Sequence, residues 1–321
     1  MRNLVRIIWA ALLTAATPAL GQTAYPQKPV RVIVPFPAGG SADTLCRLVS
    51  EKLAGAWGQP VVIDNRAGAG GNVGADIAAR AEPDGHTLLC SPPGPLAINH
   101  NLYKSLPYEP ARFVPITVLA VVPNVITARI GLPANTAGEL IAYAKANPGK
   151  VHYASQGNGS TSHLSAEMLA TMAGIELVHV PYKGEGPALV DIVGDRVDIF
   201  IGNLAAALRF EQTKQVKFLG LASRNRSRVA PGVPSAVEIG LPDFVASAWF
   251  AIVAPPGTPD AIVQKVNAAA VAALALPDIR SRFLDQGAEP VGDSSAATAA
   301  LIKEEEARWR AVIRSTKVSL D

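Results

Sequence analysis

Val30-Arg31-Val32-Ile33-Val34-Pro35-Phe36-Pro37-Ala38-Gly39-Gly40-Ser41-Ala42-Asp43 decides the fold class. Its first five residues, apolar but for Arg31, read as a short strand. A turn rich in Pro and Gly follows. From Ala42 to Ala54 the residues Leu45, Leu48, Val49 and Leu53 recur at helical spacing and share one face. A strand that passes straight into an amphipathic helix is the repeating unit of a parallel sheet covered on both faces. The unit recurs downstream as a strand at Val61 to Ile63, a helix over Asn72 to Ala81 and a strand at Thr87 to Cys90.

A second series begins after Phe113 to Thr127. Thr136 is set to cap a helix with Glu139 as its capping-box partner. A strand at Val151 to Ala154 precedes a helix that runs to Met172 and stops at Gly174. Further strands are expected at Leu177 to Val180, Val197 to Ile201 and Phe218 to Ala222, with helices around Ala188 and Ala206. Thr258-Pro259 reads as a helix start with Thr258 as N-cap, burying Ile262, Val263, Val266 and Ala270. A last helix is expected over Ala297 to Ile313, held by Leu301, Ile302, Trp309 and Val312.

No Pro/Gly/Ser-rich linker separates the two series, so the chain is expected to cross between two interleaved α/β lobes. The extended apolar stretches Val121 to Thr127 and Phe244 to Val253 are the candidate crossovers. Lobe one is expected to comprise about 25–123 with 247–321, and lobe two about 124–246, each with its own sheet rather than one sheet through both.

The N-terminus is a separate matter. Arg2 and Arg6 precede the uncharged apolar run Ile7 to Leu20, and Ala19-Leu20-Gly21 offers small residues to a signal peptidase. Residues 1–21 therefore read as a secretory signal peptide cleaved before Gln22. The run is short for a membrane anchor, which needs about 20 apolar residues. Loss of Arg2 and Arg6, with no acidic residue beside them, brings the formal charge from +3 to near +1. That balance gives no footprint for nucleic acid or an anionic membrane. At 49% hydrophobic and 17% charged residues the chain carries ample material for a packed core. Cys46 and Cys90 both fall where small buried residues belong and are read first as free core thiols. Export leaves a disulfide open. No His or Cys spacing suggests a metal site.

Several loops at the carboxyl ends of strands could carry a ligand, as is usual in open α/β sheets. The turn from Phe36 through Pro37, Ala38, Gly39 and Gly40 to Ser41 and Asp43 ends at a helix start. There, unpaired N–H groups and the positive dipole end suit a carboxylate. The same residues also serve as a plain strand-to-helix turn capped by Ser41. Gly157-Asn158-Gly159-Ser160-Thr161-Ser162-His163 repeats the device, with Ser160 and Thr161 best placed and His163 a possible donor. Ser91 ends the third strand, Tyr182 and Lys183 end another, and Gly202-Asn203 ends the next. Asn65 to Gly74 invites a dinucleotide reading, but its glycine spacing and its place after the second strand argue for a tight loop near the cleft rim. No Gly-x-Ser-x-Gly elbow, His-Glu-x-x-His or Walker loop is present. A hydrolase using Ser160 and His163 is the one enzymatic alternative.

The chain resembles the tripartite tricarboxylate transporter substrate-binding proteins, the TctC or Bug family. The matching pieces are Tyr25-Pro26 through Pro29-Val30, Val34 to Gly40, Asn65 to Asn72 and Pro83-Asp84-Gly85-His86-Thr87-Leu88-Leu89. They continue in order with Gly157 to Leu164, His179-Val180-Pro181-Tyr182-Lys183-Gly184 and Val253 to Pro259. The resemblance implies a two-lobed type II periplasmic binding protein, a Venus-flytrap that closes on its ligand without cofactor, metal or catalysis. It implies a small carboxylate as ligand (a di- or tricarboxylate, amino acid or aromatic acid). It also implies that Phe36, Pro37, Ala38, Gly39 and Gly40, with Gly157, Gly159, Ser160 and Thr161, grip one carboxylate. Partners would be one large and one small membrane subunit, the receptor itself acting as a monomer; a signalling receptor for a membrane sensor kinase shares the same pocket. Ala42 stands where the family usually has Thr, and Cys90 with Ser91-Pro92-Pro93 departs from its small-residue pattern.

Overall fold

The computed structural model describes residues 25–318 and Leu320, so the expected signal peptide lies outside the described residues. β1 (Val30–Val34), α1 (Ser41–Trp57), β2 (Val61–Asn65), α2 (Asn72–Ala79) and β3 (Thr87–Ser91) form the first series. β1 lies between β2 and β3, parallel to both. The buried face of α1 carries Leu45, Leu48, Val49 and Leu53, as their spacing requires.

β4 (Val114–Arg129) opens the second series. It is followed by α3 (Ala137–Ala146), β5 (Val151–Ser155), α4 (Thr161–Ala173), β6 (Leu177–Pro181), α5 (Glu185–Val193), β7 (Ile199–Asn203), α6 (Leu204–Gln212) and β8 (Val216–Leu221). The local signals act as read: Thr136 Oγ1 accepts the Glu139 N–H at 3.1 Å, and Gly174 closes α4 at φ 61°. The chain then returns through β9 (Ser247–Ala254), α7 (Asp260–Ala275), α8 (Pro277–Leu284), β10 (Glu289–Pro290) and α9 (Ser295–Thr316). α7 starts later than its sequence signature suggested. Pro259 is its N-cap, and the Thr258 hydroxyl instead donates to Pro255 O at 2.9 Å.

The expectation of two separate sheets needs correcting. β4 is 16 residues long, roughly 50 Å at a strand's rise, and passes through both halves. Val114 to Pro123 pair with β9, whereas Asn124 to Arg129 pair with β7 and β8. The hydrogen-bonded strand order is therefore continuous, β2-β1-β3-β9-β4-β7-β5-β6. Where β4 changes partners, three segments are laced together: Asn124 N–H to Ala246 O, Ala246 N–H to Ala222 O, and Ala222 N–H to Asn124 O, at 2.8–3.0 Å. The result is an α/β fold of two lobes joined along one shared strand. α9 bridges them as well, since Trp309 and Ile313 pack in one core with Tyr153, Leu164 and Leu169.

Cys46 and Cys90 are bonded to each other, with their Cα atoms 6.4 Å apart. The expectation of free core thiols is thus overturned. α1 lies against the face of β3 that carries position 90, and both residues are at most 1% exposed. A disulfide of this kind fits an oxidising compartment.

Candidate ligand-binding cleft

The turn after β1 ends at Gly40, which caps α1 with no side-chain acceptor of its own. The first N–H groups of that helix therefore look outward for a partner. Ser41 N–H finds one 144 residues away, donating to Glu185 Oε2 at 2.7 Å. Glu185 opens α5 in the second lobe and is only 5% exposed. Its other oxygen, Oε1, accepts from Asn203 Nδ2 at 2.5 Å and Gln156 Nε2 at 3.2 Å. Burial pushes the Glu185 carboxyl up to about 7, against the opposing pull of Ser41 and Asn203. Phe36, Pro37, Gly40 and Pro92 from the first lobe and Gln156, Glu185 and Asn203 from the second line one space, floored by Phe250. That space comes to about 10 Å³, room for about one water.

The loops around it touch across the cleft. A Cβ on Gly70 would lie 2.1 Å from Asn158 O, and one on Gly184 would lie 2.7 Å from Pro37 Cδ. A Cβ on Gly159 would lie 2.1 Å from Asn99 Oδ1. Tyr103 Oη donates to Asn158 O at 3.3 Å. The two lobes are shut against each other.

The second glycine loop is organised from within. Ser160 caps α4 by accepting the His163 N–H at 3.3 Å, and its hydroxyl donates to Gly157 O at 2.6 Å. Ser162 Oγ accepts the Gln156 N–H at 2.8 Å, which aims the Gln156 side chain at Glu185. Gly159 N–H donates to His163 Nδ1 at 3.3 Å. His163 is stacked on His179 at 4.2 Å, and His179 on Tyr153 at 4.7 Å. Burial and the neighbouring His179 hold His163 down to about 3, and burial alone holds His179 down to about 4. Both imidazoles are neutral near pH 7.

The candidate residues divide accordingly. Phe36, Pro37 and Gly40 line the closed space, and Asn203 reaches it through Glu185. Ser41 contributes its backbone N–H, while Ala38 and Gly39 lie exposed at the turn. Gly157, Gly159, Ser160 and Thr161 are buried at the start of α4. The remaining six candidates are engaged or placed elsewhere. Asp43 braces the turn: burial would raise its carboxyl, but hydrogen bonds from Arg47, Gly39 N–H and Asn65 hold it below the ordinary value. His163 Nδ1 accepts the Gly159 N–H of its own loop, which leaves the neutral ring's proton on Nε2. Tyr182 donates to Asp191 at 2.8 Å, and Lys183 is exposed. Ser91 Oγ is turned back onto Pro92 O at 3.0 Å, and Gly202 pairs with Val125, its Cβ position blocked by the Phe200 ring.

Glu185, Gln156 and Phe250 were missed. The first had a visible signal, since it is the lone acid ahead of the apolar run Pro187-Ala188-Leu189-Val190. A groove of about 730 Å³ beside α9, lined by Tyr103, Leu106, Phe113 and Ile302, contains none of the candidate residues. The hydrolase alternative loses its geometry: Ser160 Oγ bonds to Gly157 O and Ser162, and the His163 ring nitrogen Nδ1 is taken by Gly159.

Comparison with known proteins agrees with this architecture. A family model described as tripartite tricarboxylate transporter family receptor matches residues 45–318. The chain is similar to Protein BugT of Bordetella pertussis, 39% identical over all of this chain and 99% of that one. It also resembles an R. palustris protein solved with adipate (TM-score 0.90, 35% identity, 92% of this chain and 99% of that one). MatC from Rhodopseudomonas palustris, solved with bound malate, is a further likeness (TM-score 0.86, 36% identity, 90% of this chain and all of that one). The matching family is one of receptors, not enzymes. The chain belongs to the tripartite tricarboxylate transporter receptor family.

Proposed function

We propose that the mature protein captures a small carboxylate-bearing solute between its lobes in the periplasm and delivers it to the membrane subunits of a tripartite tricarboxylate-type transporter. The observation that carries this reading is the carboxylate already seated on Ser41 N–H: the start of α1 is a working anion seat inside a closing cleft. The backbone donors at the starts of α1 and α4, around Gly40–Ser41 and Gly159–Thr161, would share the ligand's carboxylate. Ligand then favours the shut state, because only there do both lobes reach it. The lobes are taken as about 25–123 with 247–321, and about 124–246. The triangle at Asn124, Ala222 and Ala246 supports a hinge at that level. Export would follow cleavage of residues 1–21. The full family match and the adipate- and malate-bound relatives support the ligand class.

Micromolar capture needs roughly −8 kcal/mol, within reach of two or three charge-assisted hydrogen bonds plus closure. The test is thermal-shift and calorimetric screening of the mature protein against small carboxylic acids. An acid at a hundredfold its Kd should stabilise the protein by about 2.7 kcal/mol. If no small acid raises the melting temperature, the reading falls.

A further inference from the structure

Glu185 is a buried carboxylate with no counter-charge. Its partners are a backbone N–H, an asparagine and a glutamine, all neutral, and no ion pair among the described residues includes it. Buried carboxylates are normally paired with a cation. The Ser41 hydroxyl acts on the same carboxyl and is neutral too, so no partner supplies the missing charge. Asn203 brings a second acceptor. Its Nδ2 is committed to Glu185, its side chain is 1% exposed, and its Oδ1 has no hydrogen-bond partner among the described residues. The reverse amide orientation would set Oδ1 against the carboxylate, so the partnerless atom is the acceptor. Two acceptors thus stand side by side in the wall of the cleft, next to Phe36, Pro92 and Phe250.

We propose that the solute carries a protonated amine as well as its carboxylate, and that Glu185 with Asn203 Oδ1 is the seat of that ammonium; this rests on the solute-receptor reading above. An ammonium has three donors and no acceptor, which matches this pair of acceptors. It supplies the charge Glu185 lacks while Ser41 N–H stays bonded to the same carboxylate. The solute's own carboxylate then takes the donors beside Ser41 N–H at the α1 start together with those around Gly159–Thr161 at the α4 start. A simple diacid fits worse, because one of its carboxylates would face Glu185 and one of the two would have to take up a proton. The residue therefore selects amino-acid-like solutes over diacids of equal length.

Matched pairs test this by calorimetry on the mature protein at about pH 8.5, above the raised Glu185 value and below that of the amines: L-aspartate against succinate, L-glutamate against glutarate, and 6-aminohexanoate against adipate. At least one amino member should bind roughly a hundredfold more tightly than its diacid, the scale of a buried charge pair against an unpaired charge. Glu185→Gln should bring that pair level. Asn203→Ala should weaken the amino member and spare the diacid, which reads the same seat if the first variant does not fold. Diacids bound as tightly as their amino partners in all three pairs, or a preference that survives Glu185→Gln, overturn the inference and leave the carboxylate reading standing. Hexylamine bound as tightly as 6-aminohexanoate overturns the carboxylate reading and leaves the Glu185 seat standing. Silence from all six acids and the amine overturns both.

Discussion

Closure of the cleft has a steric limit that one methyl group can test. Gly70 sits on the rim of the first lobe at φ 62°, and a Cβ there would lie 2.1 Å from Asn158 O of the second lobe, against 3.4–4 Å for an ordinary contact. The obstacle is a backbone oxygen, so no side-chain rotation relieves it; the lobes must part. Gly70→Ala carries two separable costs. The left-handed conformation costs an alanine roughly 1 kcal/mol whether the cleft is open or shut. Overpacking of about 1–3 kcal/mol is confined to the shut state. Only the second reduces affinity, by roughly 5- to 150-fold. Gly58→Ala is the control: its φ is 63°, it caps the far end of α1, and nothing lies within 4 Å of its Cβ position. Calorimetry with the tightest acid from the panel reads affinity, and solution scattering reads the radius of gyration with ligand. Gly70→Ala should bind weakly and stay expanded, while Gly58→Ala should bind and close like wild type. Wild-type affinity in Gly70→Ala, or an equal loss in Gly58→Ala, would refute the reasoning.

Two further outcomes follow from the buried chemistry. Cys46 and Cys90 close a loop with a sequence separation of 44, so replacing both by Ala should cost about 4 kcal/mol by loop-closure entropy; an unchanged denaturant midpoint in the variant would contradict the bond's stabilising role. The carboxyl of Glu185, raised from 4.5 to about 7, makes the native state hold the extra proton between those values. Its contribution is full below 4.5 and declines as pH rises through 7, by an amount on the order of 3 kcal/mol. His163 and His179 act with opposite sign, because their lowered values make the unfolded chain the better base as pH falls below 6.5. The stability difference between wild type and Glu185→Gln across that range isolates the carboxylate, and a flat difference curve counts against its burial as an ionisable group.

What the sequence by itself determined was everything with a period or a local partner. Leu45, Leu48, Val49 and Leu53 could only be one helical face, Thr136 and Gly174 only helix ends, and the two glycine-rich loops only tight turns leading into helices. Each is set by contacts within about four residues, so chain order carries the information. The family resemblance rests on the same kind of local pattern. Tertiary structure alone decided which distant groups meet. Position 46 reaches position 90 because α1 packs across the sheet, and β4 joins both halves because its hydrogen-bonding edges change partners at Pro123 and Asn124. His163 meets its stacking partner His179 across the lobe. Glu185 enters because closure brings it to Ser41. A helix start demands an acceptor but does not say which one, and the chain met that demand from 144 residues away, across a cleft that exists only once both lobes are folded and shut.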